Sequence, residues 1–261
     1  MSESGGWSVD AVGKQARNRS KDLRKGQAAI AQRRGSVNPV MIIGLVIIVA
    51  LVGTIGFMVF RAAAGGDTAT GALVTPAGAT AEGALVVGRE SAPVKLEIYL
   101  DYMCPYCGKF ERANNTEIDK LITDGTVRVE LHPLAFLDRF SQGTRYSSRA
   151  ANAVATVADR APGKVMAFNK ALFDNQPDEG TDGLDDTRIA ELAVQAGVPQ
   201  AVADVLDDGI HATWVKQAND AAFDAGVTGT PTVKINGQKW EGDLYNAGPL
   251  TQAVTAAAGN Q

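Results

Sequence analysis

The sequence predicts a single-pass membrane protein whose exported part is an α/β domain with an inserted helical subdomain. Three observations lead to this prediction. An uncharged apolar run from Pro39 to Phe60 is long enough to cross a bilayer. A strand–helix–strand pattern opens the later part of the chain. An alanine-rich, helix-periodic block then separates that pattern from a strand pair and a last helix.

The sequence of the N-terminal region predicts a cytoplasmic tail, a membrane-spanning segment and their orientation in the membrane. Residues 1–38 are polar and basic, which is typical of a disordered cytoplasmic tail. The run at 39–60 (PVMIIGLVIIVALVGTIGFMVF) then forms a transmembrane signal anchor in contact with the lipid bilayer. Because basic residues stay on the cytoplasmic side, the rest of the chain is expected outside the cell. A cleaved signal peptide is the alternative, and the small residues 62–64 suit a cleavage site.

Charge excludes one class of partner for the exported part. Residues 1–61 hold 9 of the 25 Lys and Arg and 3 of the 29 Asp and Glu, which leaves 16 basic and 26 acidic residues outside. A domain with a net charge of about −10 is repelled by phosphate backbones. We therefore expect no nucleic-acid partner.

The exported part divides into a linker and one domain. Residues 61–83 are dominated by Ala, Gly and Thr, which predicts a flexible linker with little to bury. Residues 84–260 then suit the length of a single domain, with a helical insertion at about 141–226.

The domain begins with a strand–helix–strand unit. Val94–Leu100 alternates apolar and polar residues and predicts a strand. A helix begins at Pro105, which suits the first helical position, and ends at Gly125. Thr126–Leu131 predicts the second strand of a βαβ unit.

Later segments predict a helical block followed by a hairpin. The insertion is broken by Gly, Pro and Asp clusters into about four helices. The strands Thr232–Asn236 and Gln238–Glu241 meet around Asn236-Gly237, a strong turn signal, and Asn246–Ala258 closes the chain as a helix. The large aromatic residues Trp214, Trp240 and Phe223 are expected in the core or at the subdomain interface.

The two cysteines of the chain lie three positions apart, as Cys104-Pro105-Tyr106-Cys107. Such a pair is either a redox-active dithiol or half of a metal site. A closed zinc site needs four thiolates or imidazoles, and only His132 and His211 are available. These histidines are assigned to a strand end and a helix surface. The redox interpretation is favoured, with no metal ligands.

Helix geometry assigns different chemistry to the two thiols. A helix N-terminus carries unpaired N–H groups and about half a positive charge, which lowers the pKa of a cysteine placed there. Cys104 is therefore predicted to exchange with substrate, and the more buried Cys107 to resolve the mixed disulfide. A pKa lowered by about 3 units favours the reduced form by about 4 kcal/mol, or roughly 90 mV toward an oxidant.

Three motifs are notable in the exported part: Ala92-Pro93-Val94, Asp101-Tyr102-Met103-Cys104-Pro105-Tyr106-Cys107 and Gly226-Val227-Thr228-Gly229-Thr230-Pro231-Thr232-Val233. Together they resemble those of a known family, the DsbA-like thiol:disulfide oxidoreductases, most of all its membrane-anchored Gram-positive and actinobacterial versions. The resemblance covers about residues 84–258.

The resemblance implies a thioredoxin fold with a helical insertion and a cis proline facing the cysteines. That proline maps to Pro231, preceded by Thr230, and Pro105 and Tyr106 complete the active-site support. An ordinary turn proline is the alternative for Pro231. A cis bond here would present the backbone of Thr230 to a substrate peptide beside Cys104.

One departure from the family concerns an acid. Thioredoxin-like folds often keep a buried acid six residues before the first cysteine, where this chain has Ile98. Strand alternation directs the adjacent Glu97 to the opposite face unless a bulge intervenes. We assign the supporting role to Glu97, with a half-exposed strand residue as the alternative. Asp101 is the other acid nearby.

The expected function is therefore that of an extracytoplasmic thiol oxidase that donates its disulfide to exported or unfolded proteins with free thiols. The resemblance implies a membrane reoxidant of the DsbB or vitamin K epoxide reductase-like kind, and no organic cofactor or metal. Two alternatives stay open: a reductase or isomerase of the same fold, and a non-enzymatic tethered binding module with a structural disulfide.

Overall fold

The structure is a computed structural model that describes residues 71–259. The predicted tail at 1–38, the predicted span at 39–60 and the first part of the predicted linker lie outside the described residues. None of the helices among residues 71–259 combines the length and the apolar character that a membrane crossing requires.

A five-stranded mixed sheet forms the centre of the described domain, in the order β1-β3-β2-β4-β5. The two long central strands, β2 and β3, are parallel, and the other neighbouring pairs are antiparallel. The strands are β1 (Leu85–Val87), β2 (Val94–Asp101), β3 (Val127–Leu134), β4 (Thr232–Ile235) and β5 (Gln238–Lys239). The short edge strand β1 was not predicted, because three residues are too few to show an alternation.

The helices follow the predicted order. The first helix begins at Pro105, as the position of that proline predicts, and Gly125 adopts a left-handed φ of 84° just after its end. The helices are α1 (Pro105–Thr123), α2 (Tyr146–Arg160), α3 (Val165–Asp174), α4 (Asp186–Gln195), α5 (Gln200–Ala203), α6 (Ala212–Asp224) and α7 (Pro249–Gly259). Helices α2 to α6 lie between β3 and β4, so the predicted helical insertion in an α/β fold is confirmed.

The two faces of the sheet pack against different helices. Leu96 and Ile98 of β2 belong to the large core that includes Phe110 of α1. Tyr99 lies on the other face, in a smaller cluster with Ala222 of α6. Because successive side chains of a strand point to opposite faces, this pattern divides all of β2 between the two layers.

A segment before β1 lies along the helical insertion. The side chain of Thr213 donates to the carbonyl of Gly71 at 3.0 Å, and Nδ1 of His211 lies 2.8 Å from the carbonyl oxygen of Val74. The N–H of Ala77 donates to Asp159 at 2.8 Å. We call residues 71–79 the N-terminal strap. It forms part of the region assigned to the linker, and here this region packs on the domain.

His211 differs from its predicted place on a helix surface. The side chain is fully buried at the start of α6, because the N-terminal strap covers it. A strap that follows no helical or strand periodicity gives no sequence signal for this cover.

The Asn152 side chain should be important for the stability of the insertion. It is buried on α2, donates to the carbonyl of Leu206 and accepts from the N–H of His211, both at 2.8 Å. Because Asn152→Ala leaves two buried backbone groups unpaired, we expect a loss of about 2–3 kcal/mol in the free energy of unfolding. Urea denaturation followed by circular dichroism measures the loss.

The control is Asn175→Ala, since Asn175 is exposed and donates to the carbonyl of Ala171. Its free energy of unfolding should change by less than about 0.5 kcal/mol. Equal losses in both variants would contradict the importance assigned to Asn152.

Candidate active site

The cysteine motif lies at the N-terminus of α1. Cys104 is the N-cap residue with an extended backbone (φ −73°, ψ 115°), and Pro105 follows at the first helical position. Because proline has no N–H and a fixed φ, it starts the helix directly after Cys104. Both cysteines are free thiols in the structure, and Cys107 is fully buried.

The environments of the two thiols shift their pKa values in opposite directions. The hydrogen bond from Cys107 lowers the pKa of Cys104 to about 6, with further help from Thr230 and the N–H groups of Cys107 and Tyr106, against the effect of burial. Burial is the main cause that raises the pKa of Cys107 well above its usual value, and Cys104 adds to it. Cys104 is therefore the thiol that ionises first, as its helix position predicts.

Thr230 and Pro231 lie directly beside Cys104. The thiol of Cys104 donates to the carbonyl of Thr230 at 3.3 Å, and the Thr230–Pro231 peptide bond is cis. Strand β4 follows at once and pairs Thr232 with Tyr99 of β2. The structure thus brings the two distant motifs together at one end of the sheet.

A groove of 460 Å³ opens at Cys104 and Tyr106. Phe136, Phe223 and Thr230 form part of its walls. Phe223 is 66% exposed, although its sequence context predicted a core or interface position, because it lies near the exposed end of α6. The groove offers apolar surface next to the reactive thiol.

Aromatic side chains extend this surface on the other side of Tyr106. The rings of Tyr106 and Tyr245 lie 5.8 Å apart, and Tyr106 is 55% exposed. Lys109 lies 4.8 Å from the centre of the Tyr106 ring. Tyr106 therefore presents a ring to solvent rather than filling the core.

Gln176, which belongs to the helical insertion, supports the cysteine motif. The sequence did not predict this role. Its amide donates to the carbonyls of Tyr102 and Cys104, at 3.1 and 2.8 Å. A β-carbon at Gly108 would lie 2.1 Å from Oε1 of Gln176, so a larger residue there would displace the Gln176 side chain. The contact joins residues 72 positions apart, and nothing in the local pattern around Gln176 indicates it.

The structure does not bring Glu97 to the cysteines. Its carboxylate contacts the Lys95 ammonium at 3.3 Å and accepts from the Tyr99 hydroxyl at 3.5 Å. These partners belong to the face of the sheet opposite Ile98, which packs with Cys107 in the main core. The regular pairing of β2 leaves no bulge that would turn Glu97 around.

Asp101 is the acid closest to the motif in sequence, and it is fully buried. Its carboxylate accepts from the N–H of Met103 at 2.8 Å, the N–H of Leu137 at 2.9 Å and the hydroxyl of Ser147 at 2.6 Å. Burial raises its pKa to about 7, although these hydrogen bonds act against the rise. Its own N–H lies 3.5 Å from the Cys107 sulfur.

One cluster has atoms suited to a metal ion. The ligand atoms of Glu97, Glu130 and His132 lie within 4.8 Å of one another, and all three residues are buried. Lys95 contacts both carboxylates, at 3.3 and 3.4 Å, and Arg128 contacts Glu130 at 2.5 Å. Because these cations already balance the carboxylates, the cluster is best described as an ion-paired part of the sheet. His132, predicted at a strand end, lies within β3.

A family model described as thioredoxin matches residues 80–248. The serine/threonine-protein kinase PknE of Mycobacterium tuberculosis is 33% identical over 166 residues, which are 60% of this chain. The match covers 28% of that kinase, so the chain spans about a quarter of the length of this relative.

Two solved structures are similar to this chain over most of their own length. The reduced form of the disulfide bond oxidoreductase DsbG from Mycobacterium tuberculosis has 30% identity and a TM-score of 0.55, covering 67% of this chain and 94% of that chain. MdbA, a thiol-disulfide oxidoreductase from Actinomyces oris, has 27% identity and a TM-score of 0.61, covering 70% of this chain and 92% of that chain.

The acidity of Cys104 can be measured directly in the reduced protein. Thiolate absorbance at 240 nm should rise with a midpoint near pH 6, following the lowered pKa. Cys107→Ala should move the midpoint upward, because it removes the largest cause of that lowering. Cys104→Ala should abolish the transition, and a wild-type midpoint at or above about pH 8.5 would contradict the site geometry.

The lowered pKa of Cys104 also predicts how the stability of the reduced protein depends on pH. The pKa of Cys104 is lower in the folded than in the unfolded chain, so the folded state releases this proton first. Its contribution to stability should be complete above the usual cysteine pKa and lost as pH falls through about 6. Urea midpoints compared with those of Cys104→Ala isolate this contribution.

Proposed function

Because this chain belongs to the thioredoxin family, and within it to the DsbA-type thiol-disulfide oxidoreductases, we propose that it is an extracytoplasmic thiol oxidase. It donates the Cys104–Cys107 disulfide to exported or unfolded proteins with free thiols. The observation that carries this proposal is the asymmetry of the pair. Cys104 has a lowered pKa and, although it is only 5% exposed, it lines a groove at the surface, whereas Cys107 is fully buried and hard to ionise.

The proposed reaction uses this asymmetry in two exchanges. A substrate thiolate attacks the Cys104 sulfur of the oxidised enzyme, the disulfide breaks, and its electron pair leaves on Cys107. A second substrate thiolate then attacks the substrate sulfur of the mixed disulfide and releases Cys104 as a thiolate. The substrate is oxidised by two electrons, and the enzyme is reduced to its dithiol.

The backbone beside Cys104 supports substrate docking. The Thr230 carbonyl points at the Cys104 thiol, 3.3 Å away, at the start of β4. An extended peptide can pair with such a backbone segment in the manner of an added strand. Apolar side chains of that peptide would contact Phe136 and Phe223 in the groove. We assign docking to Thr230 and Pro231, with Pro105 and Tyr106 as support for Cys104.

The proposed direction of disulfide transfer follows from the acidity of Cys104. A thiolate stabilised in the reduced enzyme favours transfer of the disulfide to the substrate. No group in this proposal needs a cofactor, since both electrons move between sulfur atoms. The reoxidant is proposed to be a membrane protein of the DsbB or vitamin K epoxide reductase-like kind, as the family resemblance implies.

The proposed location depends on the sequence before the described domain. Residues 39–60 are proposed as a single-pass anchor with residues 1–38 in the cytoplasm, on the basis of their apolar length and the basic residues that precede them. Residues 84–260 are proposed as the exported catalytic domain, held through the segment at 61–83. Outside the cytoplasm, disulfides persist, which suits a donor.

The redox potential should distinguish an oxidase from a reductase. Equilibration of the chain against a glutathione or dithiothreitol series, read by alkylation and mass spectrometry, should give a potential well above the roughly −270 mV of thioredoxin. Reduction should leave the stability unchanged or higher. A potential near that of thioredoxin would favour the reductase, and marked destabilisation on reduction would favour a structural disulfide in a binding module.

Trapping in cells tests the assignment of roles to the two thiols. Cys107→Ala should accumulate mixed disulfides with exported proteins through Cys104, because the resolving thiol is absent. Matched cells that express Cys104→Ala should accumulate none, since the remaining thiol is fully buried. If neither variant forms mixed disulfides, the oxidase proposal is wrong and the binding module is favoured.

A further inference from the structure

The face of the central sheet opposite Ile98, here called the far face, carries charged side chains that the proposed disulfide exchange does not use. Side chains alternate along a strand, so residues 95, 97 and 99 of β2 share this face. The parallel register of β2 and β3 places three pairs of residues side by side there: Lys95 and Arg128, Glu97 and Glu130, Tyr99 and His132. We call Glu97, Glu130 and His132 the far-face cluster.

The arrangement of charges on the far face differs from what ion pairing alone favours. Like charges directly opposite each other on neighbouring strands are destabilising. The two carboxylates of the cluster are nevertheless directly opposite, and both residues are buried. Because buried charges need a counter-charge or a metal ion, two adjacent buried carboxylates create a position for a cation between them.

A buried histidine ring completes the cluster. His132 is 1% exposed, and neither of its ring nitrogens has a hydrogen-bond partner among the described residues. The ring stacks on Tyr99, with ring centroids 3.9 Å apart and 12° between the planes, which fixes its orientation. Its ligand nitrogen and one carboxylate oxygen from each glutamate lie within 4.8 Å of one another. The ring is therefore directed at the two carboxylates.

The imidazole of His132 is in the form that binds metals. Burial is the main cause that lowers its pKa to about 3, and the charges of Lys234 and Lys95 lower it further. The ring is therefore neutral near pH 7, and a neutral imidazole has a free electron pair for a metal ion.

The Lys95 ammonium lies between the two carboxylates. It contacts Oε2 of Glu97 at 3.3 Å and Oε2 of Glu130 at 3.4 Å. The Lys95 side chain is 37% exposed, so its flexible stem can carry the ammonium into solvent. Arg128 contacts the other oxygen of Glu130 and can stay in place. The ion pairs thus describe the cluster without a metal, and a divalent ion can replace one of its two cations.

The ligand types select among metal ions. Ca²⁺ and Mg²⁺ take oxygen ligands, whereas one imidazole with two carboxylates suits Zn²⁺ and similar ions. Tetrahedral bonds of about 2.0–2.2 Å place ligand atoms about 3.4 Å apart. The separations of up to 4.8 Å in the cluster would therefore have to shorten, which rotation of the glutamate side chains can provide.

We propose that the far-face cluster binds one divalent transition-metal ion, of the Zn²⁺ type, through its imidazole and both carboxylates, in place of the Lys95 ammonium. The ion links β2 to β3, and β2 ends at Asp101, shortly before Cys104. It holds the strand pair that positions the cysteine motif and takes no part in the sulfur chemistry. The sequence-based expectation of no metal concerned ligands to the cysteines, which pack with Ile98 on the other face.

Binding is measured on the oxidised full-length chain, which is purified in detergent, treated with EDTA and exchanged into chelator-free buffer. Oxidation is needed because free thiolates would themselves bind the metal. Zn²⁺ is titrated by isothermal calorimetry, and one ion should bind per chain. Ca²⁺ and Mg²⁺ at the same concentrations should not displace it, because the cluster contains an imidazole.

The histidines report where the metal binds. The sequence contains two, His132 and His211, so a sample labelled with ¹⁵N-histidine gives two sets of imidazole signals. Zn²⁺ should shift the ring nitrogens of His132 and leave those of His211 unchanged. His132→Phe assigns the signals, since its ring can keep the stack on Tyr99 but offers no ligand atom.

Variants separate the ligands from the competing cation. His132→Phe and Glu97→Gln should each weaken Zn²⁺ binding by at least about 100-fold, because each removes a direct ligand. Lys95→Ala should strengthen binding by about tenfold, because it removes the charge that the ion has to displace. Lys120→Ala is the matched control, since Lys120 is an exposed lysine paired with Glu117 at 2.6 Å, and it should keep the wild-type affinity.

Three results would overturn the inference: no Zn²⁺ binding by the wild type, wild-type affinity in either His132→Phe or Glu97→Gln, or shifted signals of His211 with none of His132. If His132→Phe does not fold, the affinity of Glu97→Gln decides. A Lys95→Ala affinity equal to that of the wild type would show that the ion does not replace the ammonium, which also contradicts the proposed site. None of these results depends on the direction of disulfide transfer.

Discussion

The contact between the Cys104 thiol and the Thr230 carbonyl is the constraint on which the rest of the site depends. It joins residues 126 positions apart, at a distance of 3.3 Å. It requires β2 and β4 to be neighbours in the sheet, and it requires the inserted helices to leave after β3 and return before β4. The sheet supplies the rigid frame, and the reactive thiol lies where the start of a helix and the start of a strand meet.

The helical insertion also completes the site, although it lies far from the cysteines in sequence. Gln176 holds the carbonyls on either side of Met103, and Ser147 holds the carboxylate of Asp101. Oδ1 of Asn169, on α3, accepts from the Tyr102 hydroxyl at 3.0 Å. Because each of these side chains acts on the segment around Cys104, the insertion determines the shape and the electrostatics of the site. It also contributes Phe223 to the groove.

Features that depend on local chemistry could be predicted from the sequence, and those that depend on distant packing could not. Pro105 fixes the start of α1, and strand alternation correctly directs Glu97 away from Ile98. Gln176 lies in a polar connection whose composition predicts only exposure to solvent, and its role depends on the tight approach at Gly108.

The N-terminal strap determines how the domain would respond to mechanical load. A pull on the chain before residue 71 would act first on the hydrogen bonds to Thr213, His211 and Asp159, which lie on the helical insertion. Only after these bonds break would the load reach β1, which is a short strand at the sheet edge. The parallel pair of β2 and β3, which positions the two thiols, thus lies behind both the strap and β1 in the path of that force.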